Sequence, residues 1–344
     1  MISPTIRHLA AGRSIRRRQR QVILALLAGV ICLAFALSLM LGKSFVPSGA
    51  VLGVLRGENV PGMSFIVGQL RLPRALLAML AGLCFGMGGA AFQILLRNPL
   101  ASPDIIGINM GTSAAAVFAI VVPGLEGAMV SVCAVAAGMA IAMAIYALSF
   151  RQGVTGSRLS LIGIGVSAML QSVIAWILSR APAWDLQEAM RWLTGSVNGA
   201  GIDQIWPLLA ALALFGTVLL AQARNLETLR MGDDLAVALG IRSNRTRFMV
   251  FGGAVGLMAI ATSMTGPIAA VAFLSGSIAA RITGNNGSLL LPAGLIGAGL
   301  VLVGDYAGQN LMPGRYPVGV ETGALGAPYL IYLILRVNRG GDSL

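Results

Sequence analysis

"FMVFGGAVGLMAIATSMTGPIAAVAFLSGSIAA", residues 248–280, runs for 33 positions without a charge. As one helix it would be about 50 Å long, against a bilayer hydrocarbon core of about 30 Å. Near its middle stands Gly266-Pro267. The residue before a proline avoids the helical region, and Gly-Pro is a strong breaker. The stretch is therefore expected to form two helices joined by a tight turn. That division decides whether the chain holds nine or ten apolar crossings.

The remaining runs between charges are of spanning length. They cover 22 residues (21–42), 22 (75–96), 21 (105–125), 24 (127–150), 21 (159–179), 20 (204–223) and 23 (282–304), and a last stretch, 318–335, is interrupted only by Glu321. A bilayer-crossing helix needs about 20 apolar residues. Only 10% of the 344 residues are charged and mean hydropathy is +0.85, far from a soluble domain at about 25% charged. The expected fold is all-α, a polytopic membrane protein of ten transmembrane helices with both termini cytoplasmic. Charge supports ten. With the N-terminus inside, 17 Lys/Arg fall in inner segments, among them Arg7, Arg13, Arg16, Arg17, Arg18 and Arg20, then Arg97, Arg151 and Arg158, and later Arg224, Arg230, Arg242, Arg245, Arg247 and Arg281. Seven fall outside: Lys43, Arg56, Arg71, Arg74, Arg180, Arg191 and Arg315. Nine crossings would give 15 against 9, and the positive-inside rule prefers the first arrangement.

The boundaries that follow are a basic cytoplasmic tail (1–20), a ten-helix transmembrane domain (21–337) containing a cytoplasmic loop (224–247), and a second tail (338–344). The N-terminal apolar run is too long for a signal-peptide core and lacks a small-x-small cleavage site. A net charge of +12 scattered in short loops points to topology rather than a nucleic-acid partner. Cys32, Cys84 and Cys133 each fall inside an apolar run, with no CxxC spacing. His8 is the lone histidine, so a histidine metal site or catalytic triad is excluded. No metal and no cofactor is expected. Forty-five glycines, with spacings such as Gly82-xxx-Gly86 and Gly252-xxx-Gly256, suit close helix contacts in a membrane bundle.

No charged residue is placed near the middle of a proposed span, where ion-coupled carriers usually keep one. "GKS" at 42–44 is half a phosphate-binding loop, but the required preceding glycine is Leu37. Energy for uphill transport would have to come from a partner.

The most charged internal stretch is "LRMGDDLAVALGIRSNRTR" (229–247). Asp233 and Asp234 suit a helix start and Gly240 its end. Leu235, Ala236 and Leu239 would form a short apolar strip. Two readings fit these residues: an amphipathic connector resting on lipid headgroups, or a docking helix. Between the fifth and sixth runs, "WDLQEAMRWLTGSVNG" (184–199) is expected as a short external helix, with Trp184 and Trp192 suited to interface anchoring.

Several motifs together resemble the FecCD-type permeases of ABC importers for iron–siderophore complexes, haem and cobalamin. They are "RLPR" (71–74), "FQILLRNPLASPDIIGINMG" (92–111), "MGDDLAVALG" (231–240), "GPIA" (266–269) and "PVGVETGALGAPYLIYLI" (317–334). The resemblance implies ten helices and no enzymatic activity in this chain. The implied partners are a cytoplasmic ABC ATPase dimer, a second permease subunit in a homo- or heterodimer, a substrate-binding protein and a ferric siderophore, with no nucleic acid. It implies that Gly232, Asp233, Asp234, Ala236, Leu239 and Gly240 contact the ATPase, and that Arg71 and Arg74 dock the binding protein, with Arg315 a further candidate beside Gln309. Gly156 and Ser157, at the inner start of the fifth helix, are placed near a cytoplasmic gate, and the fifth and tenth helices beside the cargo path. The sequence departs from many members at Gly276-Ser277, where Pro-His is common. Haem or cobalamin remains an alternative cargo, and an ion-coupled secondary carrier an alternative of another class.

Overall fold

The computed structural model describes residues 4–98, 107–150, 156–284 and 287–340. Arg151 and residues 99–106 of the "RNPLASPDIIG" motif lie outside them. The described residues form helices joined by short connections: α1 (Pro4–Met40), α2 (Ser48–Leu55), α3 (Leu72–Leu95), α4 (Ile108–Val121), α5 (Ala128–Ser149), α6 (Gly156–Leu178), α7 (Ala183–Thr194), α8 (Ile205–Ala211), α9 (Thr217–Ala221), α10 (Ala223–Arg230), α11 (Asp233–Ala238), α12 (Ser243–Thr265), α13 (Val271–Thr283), α14 (Leu290–Asn310) and α15 (Val318–Gly340). A wide-turn helical segment, Phe65–Arg71, leads directly into α3, and another, Leu212–Gly216, joins α8 to α9.

Seven of these rods are long and apolar enough to cross a bilayer: Ser14–Met40, Phe65–Leu95, Ala128–Ser149, Gly156–Leu178, Ile202–Ala221, Ser243–Thr265 and Leu290–Asn310. The protein is an all-helical, polytopic membrane protein. α4 and α13 are apolar but shorter, with 14 and 13 residues, about 20 Å each.

The 248–280 stretch divides at Gly266-Pro267, with α12 ending at Thr265 and α13 starting at Val271. The two halves do not lie along each other as a tight hairpin. α13 instead packs against α3 and α14. The turn is held from outside: Ser196 N–H donates to the Thr265 carbonyl at 2.7 Å, and Gly195 sits against the Pro267 carbonyl. The end of α7 thus covers the break, and the Gly319 N–H at the start of α15 bonds Gly195 O at 3.1 Å.

α3 is the centre of the bundle, packed on by α12, α13 and α14. Its contact with α14 is backbone to backbone. A Cβ at Gly82 would collide with the Gly297 carbonyl, and one at Gly86 with Ala293. This is the close approach that small-xxx-small spacing permits. The second such pair behaves differently: a Cβ at Gly256 would collide with the Phe215 ring, but one at Gly252 would meet nothing. Buried polar bonds cross between helices as well, from Thr262 to Asn109 Oδ1 (3.1 Å) and from Ser131 to the Ser263 carbonyl (3.0 Å). α6 and α15 are peripheral, with large apolar side chains such as Leu161, Met169, Leu325 and Ile331 exposed.

Candidate functional site

The candidate side chains gather at the two ends of the bundle. One end carries α10 and α11. α11 stops in a Schellman arrangement, with Gly240 at φ +81, its N–H on the Val237 carbonyl and the Ile241 N–H on Ala236, both 2.9 Å. That is the cap Gly240 was expected to supply. Gly232 precedes the helix at φ +124, and Asp233 and Asp234 occupy its first turn. Ala236 is buried, whereas Asp234, Leu235, Val237, Leu239 and Gly240 face outward. Val237 and Leu239 are 62% and 64% exposed, an apolar surface that has no partner within the described residues.

Asp233 is half exposed but bonded by residues of its own chain. Arg247, near the start of α12, donates to both its oxygens at 2.7 and 2.8 Å. Arg97, just past α3, donates to Oδ1, and its Nε donates to the Leu229 carbonyl at 3.0 Å. The same end of the molecule includes Arg20, which reaches the Ser288 carbonyl at 3.1 Å. Gly156 meets the backbone of Leu96 there, and Ser157 is exposed.

Gly276 and Ser277 also lie near this end. A Cβ at Gly276 would strike the side-chain oxygen of Gln93, which is 8% exposed. Gln93 Nε2 donates to the Phe273 carbonyl at 2.9 Å. The small residue therefore admits an amide from α3 into the backbone of α13. Arg281, on the last turn of α13, lies over the rings of Tyr332 (4.8 Å) and Tyr329 (5.4 Å) and fastens α15 through cation–π contacts.

At the opposite end, a cavity of about 340 Å3 is bordered by Lys43, Arg71, Arg74, Asp305, Gln309 and Arg315. The helical rod containing Arg71 and Arg74 begins at Phe65, so these residues lie about two turns inside it and not at a helix N-terminus. Arg71 donates to the carbonyls of Leu39 (2.9 Å) and Met40 (3.0 Å) in the last turn of α1, and to that of Ser44 (2.6 Å) just beyond it, adding a cap to the helix C-terminus. Arg74 forms a two-pronged pair with Asp305 of α14, at 2.6 and 2.7 Å. Gln309 bonds the Tyr316 carbonyl at 3.3 Å, and Arg315 is exposed. Sequence reasoning missed Asp305, Arg97, Arg247 and Gln93. Asp305 marked only the end of an apolar run, and the two arginines were counted as topological charge.

An all-helical bundle with rods of spanning length, an exposed apolar segment at one end and a charged cavity at the other defines a class: the polytopic membrane proteins. Within that class the chain belongs to the FecCD transport family, whose model matches residues 14–336. It is 36% identical to the ferric enterobactin transport system permease protein FepG of Escherichia coli K12, covering 93% of this chain and 98% of that one. The achromobactin transport system permease protein CbrC of Dickeya dadantii is also 36% identical, over 92% and 91%. Among solved structures, a chain described as an inward-facing, metal-chelate type ABC transporter superposes with a TM-score of 0.83 at 23% identity, covering 92% of this chain and 99% of its own. That last likeness concerns the fold alone.

Proposed function

We propose that this chain is the membrane permease subunit of an ABC importer that takes up a ferric siderophore across the bacterial inner membrane. ATP hydrolysis belongs to a separate cytoplasmic ATPase dimer, and no covalent chemistry occurs here. The observation that carries this reading is the near end-to-end match to siderophore permeases. FepG and FepD are both permease proteins of the ferric enterobactin transport system of Escherichia coli, and both resemble this chain, at 36% and 33% identity. That favours a second, different permease as partner.

Ten crossings with cytoplasmic termini are part of the proposal. The seven long rods are supplemented by α4, α13 and α15. The end bearing Arg20, Arg97, Arg230, Arg247 and Arg281 takes the inner side by the positive-inside rule. The permease domain is 21–337, with 224–247 as its coupling loop. Gly232, Asp233, Asp234, Ala236, Leu239 and Gly240 form the coupling element, in which Asp234, Leu239 and Gly240 offer the outward surface. A substrate-binding protein docks at the outer cavity, where exposed Arg315 provides a reachable cation and Arg71 and Arg74 shape the rim. Gly156 and Ser157 stand at the cytoplasmic gate.

The test is uptake of labelled ferric siderophores, haem and cobalamin in cells lacking the chain. Loss of one ferric siderophore supports the proposal. Loss confined to haem or cobalamin changes the cargo, and no loss with any of them refutes the importer role. Accumulation by vesicles that lack the ATPase, driven by an ion gradient, would establish a secondary carrier instead.

A further inference from the structure

α10 packs on the bundle through the buried Leu226 and Leu229, but that packing stops short of its end. A cavity of about 320 Å3 lies there, bordered by Gln93, Arg97, Asn98, Arg230 and Ser277. Beyond the cavity, one carboxylate adds to the leucine packing. Asp233 receives Arg97 from the end of α3 and Arg247 from the start of α12, while Arg97 also binds the last turn of α10 through Leu229 O. The ends of α3 and α12 therefore meet on the first residue of α11, and Arg97 ties in α10 as well.

The backbone of Arg97 is a second, independent observation. α3 ends in a Schellman arrangement: Arg97 N–H bonds the Ile94 carbonyl and Asn98 N–H bonds Gln93, both at 3.1 Å. The left-handed position of that motif normally carries glycine. Here it is arginine, at φ +51. A side chain in this conformation is unfavourable for the backbone. The turn itself needs no side chain, whereas the bond to Asp233 does. Strain retained at such a position points to a role for the group it presents.

We infer that Arg97 and Arg247 are positioning residues that pin α10–α11 to α3 and α12 through Asp233, so that the segment and both helices move as one body. Asp233 is thereby engaged within the chain, and Asp234, Val237 and Leu239 remain outward for the ATPase. A push on α11 then reaches α3, on which α12, α13 and α14 all rest. This inference rests on the reading of α10–α11 as the ATPase-docking segment.

The experiment uses the assembled transporter in proteoliposomes and measures ligand transported per ATP hydrolysed. Arg97→Gly should keep the ATPase bound and keep or raise the melting temperature, because glycine suits the turn. Transport per ATP should fall at least fivefold. Asp233→Asn should do the same, and the double variant should be no worse than either single one. Arg97→Lys should restore part of the coupling. Normal transport per ATP in Arg97→Gly, or single effects that multiply in the double variant, would overturn the inference. Leu239→Asp tests the underlying reading separately, since it should abolish ATPase co-purification. An ATPase that still co-purifies removes the docking segment itself, whatever Arg97→Gly does.

Discussion

Arg71 and Arg74 stand three positions apart and hold different partners. Arg71 bonds carbonyls in the last turn of α1, and Arg74 pairs with Asp305, whose side chain is only 10% exposed. Removing one member of a fully buried pair costs about 3–5 kcal/mol. Arg74 is 24% exposed, and solvent screening lowers the expected loss for Arg74→Ala to about 1–3 kcal/mol. Thermal unfolding in detergent checks this, and Arg74→Met combined with Asp305→Leu should recover most of the loss. Gly276→Ala should also destabilise, by about 1–3 kcal/mol, since a methyl there displaces the Gln93 amide. None of these pairings was legible in the sequence. Arg74 and Asp305 are separated by 231 positions and Arg97 and Asp233 by 136, so local spacing carries no trace of either.

Among elements, the division of the 33-residue apolar stretch was legible because Gly-Pro interrupts a helix through backbone geometry alone. The destination of its second half was not. α13 is apolar nearly all round its first two turns, so no polar face indicates which neighbours it meets. The start of the rod leading into α3 was misplaced for a different reason. Arg71 and Arg74 look like the edge of a span, yet each is neutralised or bonded within the bundle, and the helix begins earlier at Phe65. The break itself should be sensitive. Gly266 adopts φ +70 and ψ 177, a region essentially restricted to glycine, so Gly266→Ala should cost about 1–3 kcal/mol. Equilibrium unfolding in detergent reads that loss. The short cap at Gly240 was legible because Schellman chemistry is local.

For the whole molecule, fold class and family were readable from run lengths and motif order, since a bilayer imposes a minimum length on each crossing. The sidedness is open to direct measurement. In a cysteine-free background, Lys43→Cys should react with a membrane-impermeant thiol reagent in intact cells. Ser288→Cys, beside Arg20, should react only after the membrane is permeabilised. Nine crossings would expose Ser288→Cys from outside.

The central helix has a consequence for what sequence change it can tolerate. It is keyed at Arg74 to one neighbour and at Arg97 to another, with a glycine-lined seam against α14 between them. Inserting one residue between the two keys would rotate one relative to the other by about 100° and lengthen the shaft by about 1.5 Å. Both locks cannot then close in phase. Natural variants should substitute freely on its surface yet conserve the residue count from one key to the other.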